Sequence, residues 1–368
     1  MPAFIQNIAT AVPEESYEQH FLRDRMKEYI SDREATRRII HRIYSKSGIK
    51  KRHTVIHDFN ANGSPRFFFQ KDGSFASPST GRRNALYEDK AKTLFVDTAR
   101  KAIDENHSVD KSDITHIITV SCTGFFAPEP GFEIIKQLGL SPSTQRFHLG
   151  FMGCFAAFPA MKMAKSFCES QPDATVLIVC LELCSIHLQA SESTDNLISA
   201  SVFADGAAGM MVRSQKPKDS PAFELRQFAT SIADESEGDM AWTIGDTGFN
   251  MVLSTYVPDI IESNLAAAIQ PLFEDYDLSP RQIAYWAVHP GGRAILDKVQ
   301  TSLELDENQL ASSRKVLTNY GNMSSATVLF VLADILKKPQ QADSEPVLAM
   351  AFGPGLTIES GLLVKRMG

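Results

Sequence analysis

The chain carries five cysteines, and one of them stands where a thiol is reactive. In HLGFMGCFAAFPAMKMAKSF, residues 148–167, Gly153 precedes Cys154, and small and apolar residues then recur at helical spacing. The cysteine is therefore expected where a tight turn enters a buried helix, with Pro159 early enough to be tolerated in the first turn. A thiol at a helix N-terminus meets the positive end of the helix dipole, which lowers its pKa and raises the thiolate fraction. Cys154 is thus a candidate nucleophile; the competing reading is a small apolar residue filling the core. A cysteine nucleophile needs a base or charge partner, and AYWAVHPGGRAIL supplies His289. It lies at the C-terminal end of a predicted strand, just before Gly291 and Gly292 open the next helix, where α/β folds place functional groups. The other histidines fall in loops, on helix faces or among charges. Asn322, in TNYGNMSSATVLF, stands between a glycine-containing turn and a buried helix, and reads as a helix cap as readily as a working amide.

The elements that would position these groups are legible as two series. The first contains THIITVSC (115–122), ATVLIVCLE (174–182) and GAAGMMVR (206–213); the second contains IAYWAVHPG (283–291), PVLAMAFGPG (346–355) and IESGLLVKR (358–366). All are apolar runs rich in β-branched residues and bounded by turn residues, as buried strands are. Helical patterns over 87–105, 155–170, 257–276, 292–303 and 324–338 separate them, which predicts an α/β architecture of two related halves, 1–220 and 221–368. The basic stretch 23–51 reads as surface helices. Residues 57–83, rich in Gly, Ser, Pro and Asn with Phe67, Phe68 and Phe69 among them, read as a long, partly anchored loop.

The 368 residues are 43% hydrophobic and 22% charged, the proportions of an ordinary globular protein. An excess of 44 acidic over 37 basic residues argues against a general nucleic-acid binder while leaving room for local basic patches. No apolar run approaches the roughly 18 residues of a membrane span, and the N-terminus lacks a basic start followed by an apolar stretch, so a cytoplasmic protein is expected. Scattered cysteines in odd number suggest no disulfide framework, and no CxxC pair with a histidine suggests zinc.

Five stretches together resemble the type III polyketide synthases, the chalcone-synthase-like branch of the thiolase-fold condensing enzymes. They are GCFA around Cys154, FADGAA from Phe203, VHPGG from His289, YGNMSSA around Asn322 and AFGPG from Ala351. Each alone is weak; in family order and at near-family spacing they are specific, and the resemblance runs the length of the chain. It implies a thiolase-like fold whose two βαβ-containing halves stack in αβαβα layers. It implies that Cys154 attacks an acyl-CoA starter and holds the growing chain, that His289 keeps the sulfur as thiolate by ion pairing, and that His289 with Asn322 donates to the thioester oxygen while malonyl-CoA loses carbon dioxide. Cyclisation would give a pyrone, resorcinol or phloroglucinol-type product. Phe203 matches the family's gatekeeping phenylalanine, and Gly353 and Pro354 belong to a substrate-binding stretch. Arg42 and Lys46 match two of three basic CoA-contacting positions; the third falls on Ile39, with Arg38 beside it. Without the family, these charges are a solvated helix face and Phe203 is core.

Departures from the plant pattern look microbial. Cys122 and Thr123 replace a threonine-rich stretch, and Cys122 is expected to line the cavity or a tunnel for an acyl chain, or simply to pack. Trp242 and Met251 fall where plant enzymes place a glycine and a phenylalanine, so the elongation cavity would be reshaped. Cys168, Cys180 and Cys184 are assigned to packing. The resemblance further implies a homodimer, although the plant enzymes' cross-dimer methionine falls near Glu129, and no metal or organic cofactor beyond CoA thioester substrates. Alternatives are a β-ketoacyl-ACP synthase III, which usually carries an asparagine-containing motif where this chain has VHPGG, a 3-hydroxy-3-methylglutaryl-CoA synthase, for whose catalytic glutamate upstream of the cysteine no match is found, and a non-catalytic scaffold.

Overall fold

A computed structural model describes residues 1–59, 66–234 and 236–367. Its first part runs β1 (Phe4–Ala11), β2 (Ser16–Glu18), α1 (Gln19–Ile30), α2 (Glu34–Lys46), β3 (Lys51–His53), α3 (Thr80–Asp104), β4 (His116–Ser121), α4 (Pro130–Leu138), β5 (Gln145–Gly150), α5 (Ala157–Ser170), β6 (Thr175–Leu183), α6 (Thr194–Val202) and β7 (Asp205–Arg213). The second runs β8 (Ala222–Ile232), β9 (Met240–Gly245), β10 (Gly248–Leu253), α7 (Val257–Glu274), β11 (Tyr285–Val288), α8 (Arg293–Ser302), α9 (Ala311–Tyr320), α10 (Thr327–Leu336), β12 (Ser344–Gly353) and β13 (Thr357–Arg366).

Alternation along the strands decides the layering. On β6, Val176, Ile178 and Cys180 join a core shared with α5 and α10, while Leu177, Val179 and Leu181 join a second core against α3. On β12, Val347, Ala349 and Ala351 face that same shared core, and Leu348, Met350 and Phe352 pack with α7 and α8. Both faces of each strand are thus buried, which explains why the runs read as continuously apolar. The result is a stack of α3, strands, α5 with α10, strands, and α7 with α8: the αβαβα arrangement expected.

The strands hydrogen-bond in the order β11-β12-β13-β8-β1-β7-β6-β4-β5. β4 runs parallel to β5 and β6, and β11 to β12, with the other ladders antiparallel. β1 pairs with β7 along its length but meets β8 only at Phe4↔Glu224 and Ile5↔Phe223.

Each strand expected from an apolar run is a strand. β1, β5 and β8 are additions: FIQNIATA, QRFHLG and AFELRQFATSI mix polar residues into the run, and β5 does so because it is the sheet edge with one partner. Residues 240–253 form the hairpin β9–β10. The segment expected as a loop over 57–83 gives its last residues to α3, and residues 60–65 of it lie outside the described ones. Elsewhere it is well held: the Asp58 carboxylate accepts the backbone N–H groups of Phe67, Phe68 and Phe69, the last two at 2.7 and 2.9 Å, and Phe68 and Phe69 are buried.

Candidate active site

One cavity of about 370 Å³ gathers most of the expected site, within the range of small-molecule pockets. Cys154, His289, Asn322, Phe203, Cys122, Trp242, Met251 and Pro354 all line it. Gly353, Arg42 and Lys46 do not. A Cβ on Gly353 would stand 2.4 Å from the Phe155 ring, so this glycine is fixed by packing. Arg42 and Lys46 lie on the exposed face of α2, whose Tyr44 reaches the cavity instead. Cys168 and Cys180 are core residues as assigned, but Cys184 lines the cavity and corrects its assignment to packing.

Cys154 occupies a turn directly before α5, closed by the Ala156 N–H donating to the Gly153 carbonyl at 3.0 Å. Gly153 has φ +85°, and a Cβ there would stand 2.5 Å from Pro354 Cδ and 3.1 Å from the Trp242 ring. Only glycine meets both demands. The Gly153 N–H donates to Cys122 Sγ at 3.0 Å, which anchors the turn from the β4 side.

Electrostatics at the sulfur differ from the sequence expectation. Burial pushes the Cys154 thiol up to about 11, reinforced by the nearby Glu182 carboxyl, while hydrogen bonds from the Ser324 and Asn322 side chains pull it down. Desolvation of the charged form outweighs both these donors and the helix end. His289 is 1% exposed, and burial lowers its imidazole to about 3. Its backbone N–H donates to the Met350 carbonyl at 2.8 Å, while neither ring nitrogen has a hydrogen-bond partner among the described residues. Burial therefore disfavours the charged form of both groups, so the expected thiolate–imidazolium pair forms against a desolvation cost that their mutual attraction in the dry cavity has to offset.

Asn322 is placed as a cap and also lines the cavity. Its Oδ1 accepts the Ser324 N–H at 2.9 Å, as a cap does, while Nδ2 donates to the Gly291 carbonyl at 3.2 Å. Its backbone is fastened on both sides, the N–H to the Val202 carbonyl and the carbonyl to the Ala204 N–H, each at 2.8 Å. These bonds form a parallel bridge to Phe203, the residue that ends α6. Arg52 Nη1 donates to the Phe203 carbonyl at 2.6 Å, and Arg52 Nε to Gln19 Oε1 at 2.9 Å, fixing the same point from β3.

Two contributors escaped the sequence reading. Ser324 adopts φ +45°, lines the cavity and pulls the Cys154 pKa down; no local pattern marks a left-handed serine. Glu182 is fully buried at the end of β6, where its carboxylate accepts from Ser325 Oγ at 2.5 Å, Thr123 Oγ1 at 2.8 Å and the Cys122 N–H at 2.9 Å. Burial raises it to about 7. A single acid closing the apolar run ATVLIVCLE was its visible signal.

Trp242 and Met251 face each other across the β9–β10 ladder, so the hairpin forms one cavity wall. Glu129 caps α4 and pairs with Arg146 at 2.6 Å, a structural placement away from the cavity. No helix of the described residues is long and apolar enough to cross a membrane.

Residues 1–216 match the family model for the N-terminal domain of chalcone and stilbene synthases, and residues 224–367 the model for the C-terminal domain. Among solved structures, PKS-I from the brown alga Ectocarpus siliculosus is similar at 30% identity and TM-score 0.90, over 100% of this chain and 98% of that one. The C-terminal type III polyketide synthase domain of Steely1, a type I/III hybrid from Dictyostelium, is similar at 28% identity and TM-score 0.90, over all of both chains.

Proposed function

This chain belongs to the chalcone and stilbene synthase family of type III polyketide synthases, and we propose that it extends a CoA-linked starter acyl group, held as a thioester on Cys154, with malonyl-CoA units. The carrying observation is that Cys154, His289 and Asn322, far apart in sequence, line one cavity.

Cys154 Sγ attacks the starter carbonyl as its proton passes to the His289 imidazole, which lines the same cavity. Collapse of the tetrahedral adduct leaves the acyl group on sulfur and expels CoA as the thiolate, which takes up that proton. Malonyl-CoA then loses its carboxylate as carbon dioxide, and the electron pair moves onto the thioester oxygen as an enolate. His289 and Asn322 Nδ2 stand ready to donate to that oxygen, a role worth about 100- to 1000-fold per donor. The enolate carbon attacks the Cys154 thioester, the chain transfers to CoA, and Cys154 is freed for reloading. Cyclisation to a pyrone, resorcinol or phloroglucinol-type product completes the reaction.

Phe203 gates the passage between the CoA side and the cavity, and Arg42 and Lys46 attract the CoA phosphates outside it. The halves 1–220 and 221–368 each supply part of the site, and a homodimer is the assembled form. The decisive experiment is Cys154→Ala: covalent loading by starter acyl-CoA, read by intact-protein mass, and product formation are both expected to vanish. Normal turnover in that variant would exclude the mechanism.

A further inference from the structure

The aromatic segment at Phe67–Phe69 has no part in the chemistry above, yet Phe68 and Phe69 line the same cavity as Cys154. The connection can be followed through contacts. Cys122, bonded to the Gly153 N–H, precedes Thr123, whose carbonyl lies 2.7 Å from His187 Nε2. The carbonyls flanking His187, those of Ile186 and Leu188, accept from Arg83 Nη1, and the Arg83 guanidinium lies 4.9 Å over the Phe68 ring. Beyond Phe68, the Phe69 and Phe59 rings are 4.8 Å apart, and Leu22 and Met26, one turn apart on α1, close the wall with Ile56.

This arm is built of hydrocarbon and rings. Arg52, which borders the cavity, is engaged by Gln19 and Phe203, while Arg83 lies behind Phe68 outside the lining, with Nε and Nη1 on backbone carbonyls. None of the six side chains that wall the arm carries a charge, and Tyr17 beside Phe59 adds one phenol at its margin. We infer that this arm, walled by Leu22, Met26, Ile56, Phe59, Phe68 and Phe69, receives the tail of an unbranched aliphatic acyl starter, so that the preferred substrate class is medium- to long-chain fatty acyl-CoA. The inference rests on the polyketide-forming reading of Cys154 and adds the identity of the starter. Asp58, by gathering three consecutive N–H groups, holds the aromatic wall in place without putting a polar backbone into the arm.

The test is kcat/KM with malonyl-CoA for a series of acetyl-, hexanoyl-, decanoyl- and hexadecanoyl-CoA, with a phenylpropanoyl-CoA for comparison. Transfer of hydrocarbon from water predicts a rise of about fourfold per methylene until the arm is full. In Leu22→Trp, which places a larger ring at the half-buried α1 wall, the decanoyl-to-acetyl ratio is expected to collapse. A flat length series in the wild-type chain, a preference for the phenylpropanoyl starter, or an unchanged ratio in Leu22→Trp would each overturn the arm's assignment while leaving the condensation intact. The wild-type series needs no variant to fold. Failure of every starter to label Cys154 would instead overturn the condensing reading and the arm with it.

Discussion

The same burial disfavours the charged forms of both the Cys154 thiol and the His289 imidazole. Asn322 is a cap in the structure and a donor in the proposed mechanism. Asn322→Ala is expected to lower malonyl-CoA decarboxylation about 100- to 1000-fold, measured by carbon dioxide release. Loss of the cap should cost about 1 kcal/mol in chemical denaturation; a variant losing only that stability, with decarboxylation intact, would remove the donor role. Glu182 permits a test by pH. Its carboxyl is raised from the ordinary 4.5 to about 7, so the folded state holds the proton more tightly. The stability this contributes is fully present below about 4.5 and is lost as pH rises through about 7. Glu182→Gln removes that titration, so the variant should gain on the wild-type chain between about pH 5 and about pH 8. Denaturation midpoints that keep the same separation at both values would place the titration elsewhere.

At the scale of elements, the turns before helices carry the site, and Gly153 is the tightest of them. Gly153→Ala meets both a positive φ and the Pro354 ring, a strain of about 1–3 kcal/mol that would shift the turn carrying Cys154. Starter loading should slow at least tenfold while the far-UV circular dichroism is kept; loading at the wild-type rate would show that the turn accommodates the methyl. This turn was legible because glycine before a helical apolar pattern has few other uses, and the buried strands were legible because both faces are covered. The hairpin carrying Trp242 and Met251 was not, since half of MAWTIG and GFNMVL faces outward and neither run alternates cleanly. Residue type located Cys154, His289 and Asn322. Residue type could not foretell the sulfur's pKa, which depends on desolvation by neighbours distant in sequence, nor that Gly353 packs under Phe155 instead of facing substrate.

The molecule as a whole leaves β5 as an edge strand, with Phe125, Phe132 and Phe151 nearby at 50, 37 and 42% exposure. A sheet edge flanked by exposed rings invites a second copy. Sedimentation should therefore give twice the 40.6 kDa chain mass, and Phe125→Asp should shift the equilibrium toward the single chain; a wild-type monomer at micromolar concentration would exclude the dimer. The opposite condition holds at the centre of the sheet. β1 lies between β7 and β8, and Phe4 is registered against Arg213 on one side and Glu224 on the other. During synthesis the strand that will join the two sets of strands is made first and both its neighbours about two hundred residues later. At translation rates of about 5–20 residues per second this is a delay of roughly 10 to 40 s. Through that interval FIQNIATA has neither ladder, and the sheet closes around it only once β7 and β8 have been made.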